Sequence, residues 1–171
     1  MPVLVTERLR LRRFELADAA FVIELVNEPA WLEFIGDKNV HSVDDAHRYL
    51  REGPLDMYSR FGFGLYLVER RSDGAPIGTC GLIKRDALDD VDIGFAFLAR
   101  VAKLGFAREA AKAVVAHARS LGLRRLLAIT TPHNHASQKV LARIGMQFDR
   151  EITLPGSSQV LHLFVTELEV G

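Results

Sequence analysis

The chain has 171 residues, with 22 Lys and Arg against 22 Asp and Glu, so its formal net charge is zero. With 49% hydrophobic and 26% charged residues, it has the balance of one globular domain and no basic surplus for nucleic acid or an anionic membrane surface. The single cysteine, Cys80, excludes an internal disulfide and points to a reducing compartment. Glu7, Arg8, Arg10, Arg12 and Arg13 interrupt any signal-peptide pattern, and no apolar run has the length of a membrane span, so a cytoplasmic location is expected.

Leu4 to Phe14 alternates apolar and basic residues and predicts one half-buried strand. Asp18 is placed to cap a helix to about Val26, with Ala19, Val22, Ile23 and Val26 inward. Asn27-Glu28-Pro29 stops it, and a short second turn follows through Trp31 and Phe34. Ser42-Val43-Asp44-Asp45 has capping-box spacing and opens a helix to Arg51, ended by Gly53-Pro54. Gly62 to Glu69, Ile77 to Ile83 and Val91 to Leu98 predict three strands of an antiparallel meander, separated by polar turns. A long helix from about Phe106 carries Ala107, Ala110, Ala111, Val114, Val115, Ala118 and Leu121 on one face, with Gly122 at its end. A short strand at Leu126 to Thr131 precedes a helix capped by Asn134 and running through Ile144. Two strands, about Met146 to Thr153 and Gln159 to Glu167, close the chain. The expectation is one α+β (α/β) domain over residues 1–171, with a mixed, mostly antiparallel sheet of about six to seven strands flanked by helices.

The stretch from Phe95 to Ala111 is an apolar strand end, a short basic loop and a helix start. A helix N-terminus presents unpaired N–H groups and partial positive charge, so it suits a phosphate. Arg100, Lys103 and Arg108 add cations where the dipole disfavours them unless an anion arrives. Gly105 permits close backbone approach. An ordinary connection with solvated charges fits this stretch equally well.

Four segments resemble one family in register. They are Thr6-Glu7-Arg8-Leu9-Arg10-Leu11-Arg12; Asp73-Gly74-Ala75-Pro76-Ile77-Gly78 with Cys80-Gly81-Leu82; Asp92-Ile93-Gly94-Phe95; and Asn134 to Ser137 through Val140-Leu141 to Ile144-Gly145-Met146. Together they resemble the GNAT superfamily of acyl-CoA-dependent N-acyltransferases, and more narrowly the branch typified by ribosomal-protein-alanine N-acetyltransferases. That family's phosphate loop reads Gln/Arg-x-x-Gly-x-Gly/Ala. Here it reads Arg100-Val101-Ala102-Lys103-Leu104-Gly105, with Lys103 in place of the first glycine.

The resemblance implies acetyl-CoA as co-substrate, no metal, and direct attack by a primary amine in a ternary complex. The amine would be a protein N-terminus or a small molecule. A splayed strand pair would hold CoA, with Phe97, Leu98 and Ala99 along the pantetheine and a backbone N–H near Leu98 facing the thioester oxygen. Lys103, Leu104, Gly105, Phe106, Ala107 and Arg108 would cradle the pyrophosphate. Asn134 would touch the pantetheine arm and Lys139 would lie near the phosphates. Ser137 is the group expected to meet the leaving thiolate, because Tyr49, Tyr58 and Tyr66 all lie upstream of these motifs. Asp92, with Glu151 second, is the candidate base. Plain structural roles fit these residues as well: an N-cap for Asn134, a cap helper for Ser137, solvated charges for Lys139, Asp92 and Glu151, and core packing for Trp31, Phe34 and Cys80. Homodimers are common among such relatives. Two other readings remain at this level, a longer donor such as succinyl-CoA and a CoA-binding module without turnover.

Overall fold

The computed structural model describes residues 1–169. The first strand prediction divides in two. The Thr6 N–H donates to the Leu9 carbonyl at 2.9 Å and closes a turn between β1 (Pro2–Val5) and β2 (Leu9–Arg13). Alternation in β2 buries Leu9 and Leu11 completely and leaves the arginines at the surface. Asp18 does not cap α1 (Ala19–Val26) with its side chain. Its carboxylate instead accepts from Arg12 at 2.8 and 2.9 Å and from the Glu15 N–H at 2.8 Å, closing a 3-10 turn over Leu16–Asp18. The Asp18 carboxylate in turn holds the Arg12 guanidinium charged well above its ordinary range.

Next come α2 (Pro29–Phe34) and α3 (Val43–Glu52), with the Ser42 hydroxyl accepting from the Asp45 N–H at 3.1 Å. Gly53-Pro54 does not end the helical run. It starts α4 (Pro54–Phe61), because proline at the first helical position lacks only an N–H that would be unpaired there. The Tyr58 hydroxyl of α4 donates to the Leu65 carbonyl and accepts from the Phe14 N–H, tying this helix to the sheet.

The meander forms as expected: β3 (Leu65–Arg70), β4 (Pro76–Ile83) and β5 (Asp92–Phe97) pair antiparallel in that order. Helix α5 (Phe106–Ser120) follows and buries Ala110, Ala111, Val114, Val115 and Ala118. Leu121 falls just past its end and is exposed. Then come β6 (Arg125–Thr130), α6 (His135–Arg143), β7 (Gln147–Ile152) and β8 (Leu161–Glu167). The eight strands form one sheet in the order β1-β2-β3-β4-β5-β6-β8-β7, antiparallel except where β5 meets β6. Cys80 lies fully buried in β4, and burial pushes its thiol far above the ordinary range, so it is core rather than nucleophile. No helix among the described residues is long and apolar enough to cross a membrane.

Candidate active site

Strand β5 has two unlike edges. Along β4 it pairs from Asp92↔Ile83 to Phe97↔Gly78. Along β6 the only registered pair is Asp92↔Leu127, with the Leu127 N–H donating to the Val91 carbonyl at 2.9 Å. Beyond that pair the two parallel strands separate, leaving a cleft between their C-terminal ends. The direction of the backbone groups follows from the alternation of a strand. The Leu98 N–H donates to the Ile77 carbonyl on β4 at 2.9 Å. Counting back from it, the groups of Ala96 point the same way, and those of Phe97 and Phe95 face the cleft. The expectation for Leu98 is therefore corrected: its N–H is already engaged and its side chain is wholly buried. The donors open to a ligand belong to the odd-numbered residues.

Past Leu98 the chain makes a 3-10 turn, Ala99–Val101, and then two left-handed residues, Lys103 (φ 64°) and Gly105 (φ 85°). A lysine pays about 1 kcal/mol for that conformation, which glycine adopts freely. The loop shape is thus one two glycines would favour, and the Lys103 side chain stays exposed. Gly105 caps α5 and has no side chain to satisfy the first-turn N–H groups of Phe106, Ala107 and Arg108. These amides lie at the mouth of the cleft. Glu109 locks the first turn in place. It accepts from the Thr6 hydroxyl at 2.5 Å, from the Arg8 N–H at 2.9 Å and from Arg8 Nε at 2.7 Å. Burial alone would raise its carboxyl, but these donors together bring it below the usual range.

On the other arm, the turn after β6 is held by Gln138 Nε2, which donates to the carbonyls of Pro132 at 2.8 Å and Thr131 at 3.3 Å. Asn134 Oδ1 accepts from the Ser137 N–H at 3.2 Å, so Asn134 does cap α6. Ser137 is half-buried, and its hydroxyl has no protein partner among the described residues. Lys139 is exposed on the same helix. The buried hydroxyls of Thr130 and Thr131, at the end of β6, lack hydrogen-bond partners, as does Trp31 Nε1.

Helix α2 joins the two arms. At one end Glu28 accepts from the Ala99 N–H at 3.3 Å, and Glu24 of α1 pairs with Arg100 at 2.7 Å. At the other end the Phe34 ring lies 5.4 Å from that of His133. Between α3 and α4, and against β3 and β4, is a cavity of about 270 Å³ lined by Lys38, Tyr49, Glu52, Met57, Leu65 and Ile83, among others. A Cβ at Gly94 would point at Ile83 and Leu65 of this lining, at 3.1 and 3.5 Å. The cavity thus lies on the Gly94 face of β5. Burial pushes the Tyr49 phenol up to about 12, so it stays neutral. Glu28, Lys38, Tyr49 and Glu52 carry no recognisable motif, and only the path of the chain brings them here.

The two candidate bases lie elsewhere. Asp92 sits at the closed end of the cleft, 1% exposed, with Arg85 Nε at 2.9 Å. Burial raises its carboxyl to about 6 despite Arg85. Glu151 is exposed on the outermost strand, β7, with β8 between it and the cleft, and His162 Nε2 lies 3.7 Å from its carboxylate. The loop 99–108 continues directly from β5, Asn134 and Ser137 open the helix that follows β6, and Glu151 lies on the outermost strand.

The family model for the acetyltransferase (GNAT) domain matches residues 8–147. Among curated relatives, an uncharacterised N-acetyltransferase of Bacillus subtilis, YnaD, is 27% identical over 145 residues, covering 84% of this chain and 82% of its own. Among solved structures, an acetyltransferase from Agrobacterium tumefaciens superposes with a TM-score of 0.81 at 23% identity, over 97% of this chain and 94% of that one. The ribosomal L7/L12 α-N-protein acetyltransferase RimL, solved with coenzyme A, superposes at 0.82 with 17% identity over the full length of both chains. The chain belongs to the GNAT acetyltransferase family and is an acyl-CoA-dependent N-acyltransferase.

Proposed function

We propose that the protein transfers an acetyl group from acetyl-CoA to a primary amine by direct attack in a ternary complex. The opened β5–β6 pair carries this reading. It leaves the Phe95 and Phe97 N–H groups facing a cleft whose mouth is the uncapped first turn of α5. A pantetheine arm has amides spaced to pair with such an edge as a strand would. Its pyrophosphate would meet the N–H groups of Phe106, Ala107 and Arg108, with the Lys103 and Arg108 charges beside them. The coenzyme A named in the RimL structure supports this choice of donor. The residues present fit the group, with backbone donors for its phosphates in the first turn of α5.

The amine would enter from the Gly94 face, through the cavity lined by Tyr49, Met57 and Leu65. A thioester oxygen placed on β5 would accept from the Phe95 or Phe97 N–H and gain negative charge there in the transition state. Ser137, in the first turn of α6, would donate to the departing thiolate. A protein N-terminal α-amine, with a pKa near ~8, is already partly neutral and can lose its remaining proton to water. That suits a site whose buried Asp92 is closed off by Arg85. Asp92 then fixes the turn before β5 rather than meeting the amine. RimL, an α-N-protein acetyltransferase, makes a peptide N-terminus the first acceptor to try and a small amine the second.

The test is turnover. Purified protein with acetyl-CoA and a panel of peptides and small amines should release CoA thiol only when an amine is present. Saturable acetyl-CoA binding with no thiol release across the panel would count against the acceptor class. Preference for succinyl-CoA over acetyl-CoA would count against the donor.

A further inference from the structure

Beside the first turn of α5 lies a second cavity, about 560 Å³, lined by Glu7, Arg8, Arg10, Arg70, Arg71, Ser72 and Phe106. It adjoins the candidate phosphate loop directly. Arg8 donates to the Leu104 carbonyl at 2.9 Å, and its guanidinium lies 4.3 Å from the centre of the Phe106 ring. The four arginines are not equally neutralised. Arg8 is paired with Glu109 at 2.7 Å, and Arg70 with Asp73 at 2.7 Å. Arg10 reaches Glu69 only at 4.0 Å, and Glu69 is closer to Arg12, at 3.3 Å. Arg71 has no carboxylate partner among the described residues. It donates to the carbonyls of Thr6 at 2.8 Å and Glu7 at 3.1 Å, which fix its guanidinium without cancelling its charge. Glu7 is the one carboxylate in the lining.

We infer that this groove receives the 3′-phosphate of the donor's nucleotide, with Arg71 and Arg10 as its ligands. The inference rests on the donor reading above. A phosphate monoester suits the site because it is a compact dianion that accepts planar, bidentate donors, and a preset guanidinium offers them. The groove opens at Phe106, where the pyrophosphate would already be held, so the same molecule can reach both.

The test is calorimetric titration of the full chain with CoA and with 3′-dephospho-CoA. The unmodified protein should bind CoA about tenfold more tightly, the size of one good charge-assisted contact. Arg71→Ala and Arg10→Ala should each move CoA affinity toward that of dephospho-CoA and leave dephospho-CoA affinity unchanged. Arg71→Ala also removes two bonds to the β1–β2 turn. Arg10→Ala removes none of these, and comparing the two nucleotides within each variant cancels any general loosening. Equal affinity of the unmodified protein for both nucleotides, or variants that weaken both alike, would overturn the inference and leave the donor reading standing. Binding of neither nucleotide would overturn the donor reading, and the inference with it.

Discussion

The two edges of β5 are built from the same residues and do opposite things. Toward β4 the backbone is paired along the whole strand, and Gly78 there is forced by packing. A Cβ at Gly78 would come 2.5 Å from the Phe97 ring and 2.6 Å from the Ala96 carbonyl oxygen. Toward β6 one pair closes the bottom, and the rest of the edge stands open. Unpaired N–H groups on a central strand cost free energy unless something else takes them, so an open edge inside a sheet is itself a statement about a ligand. Stability is concentrated on one side of this strand, and the proposed donor site lies on the other.

That division can be broken one side at a time. The largest effect is expected on the paired side. Gly78→Ala should destabilise the protein by roughly 3 kcal/mol or more, because the Ala96 backbone and the Phe97 ring of β5 must shift, and thermal unfolding measures it. On the open side, Ser137→Ala should lower kcat by about tenfold to a hundredfold with KM for acetyl-CoA little changed, as loss of a contact made in the transition state requires. Arg108→Glu should weaken acetyl-CoA binding by about tenfold without lowering the melting temperature, since an acidic residue suits the uncapped helix end but repels the donor's phosphates. An equal loss of stability in either open-side variant would blur the comparison.

The closed end of the cleft offers a pH test. The Asp92 carboxyl is raised by burial to about 6, above its value in the unfolded chain near ~4. The folded state then holds a proton that the unfolded state has released, so this group's contribution falls as pH rises from about 4 through about 6. Asp92→Asn should remove that part of the pH dependence, which unfolding midpoints measured at pH 4.5 and 7 would show. Glu109, held below its usual range, has the opposite sign. Its contribution is present above the unfolded pKa and disappears as acid protonates it. The smallest effect belongs to Lys103→Gly. Relief of the left-handed strain should leave stability unchanged or raised by up to about 1 kcal/mol, while the lost charge weakens donor affinity slightly.

Much of the frame was legible in the residues. Alternation in Leu9–Arg13, the turn residues of the meander, the alanine-rich face of α5 and the Asn134 cap each follow from local chemistry, and each appears in place. Some local signals carry a second meaning. Gly53-Pro54 was expected to stop a helix, although proline is also what opens one, and α4 follows it. Asp18 was expected to cap α1, but a nearby Arg12 and the Glu15 N–H claim its carboxylate. Local chemistry alone made the site legible only as a loop, and the splayed strand pair came from the family resemblance. Missing hydrogen bonds leave no residue pattern, so nothing in Asp92–Phe97 or Arg125–Thr130 says that their facing edges part. Nor does it show which N–H groups face the gap until one pair fixes the parity. The arginine groove joins residues 8 and 10 to residues 70 and 71 through strand pairing, and no local spacing connects them.

The most direct test of the central claim is amide hydrogen exchange on β5, resolved by residue, with and without acetyl-CoA. The Phe95 and Phe97 amides should exchange readily in the free protein and become protected when donor binds. Leu98, already bonded to Ile77, and Ala96 on the same edge should be slow in both states. Saturable donor binding that leaves Phe95 and Phe97 unprotected would contradict the account, because the donor would then lie somewhere other than along the open edge of this strand.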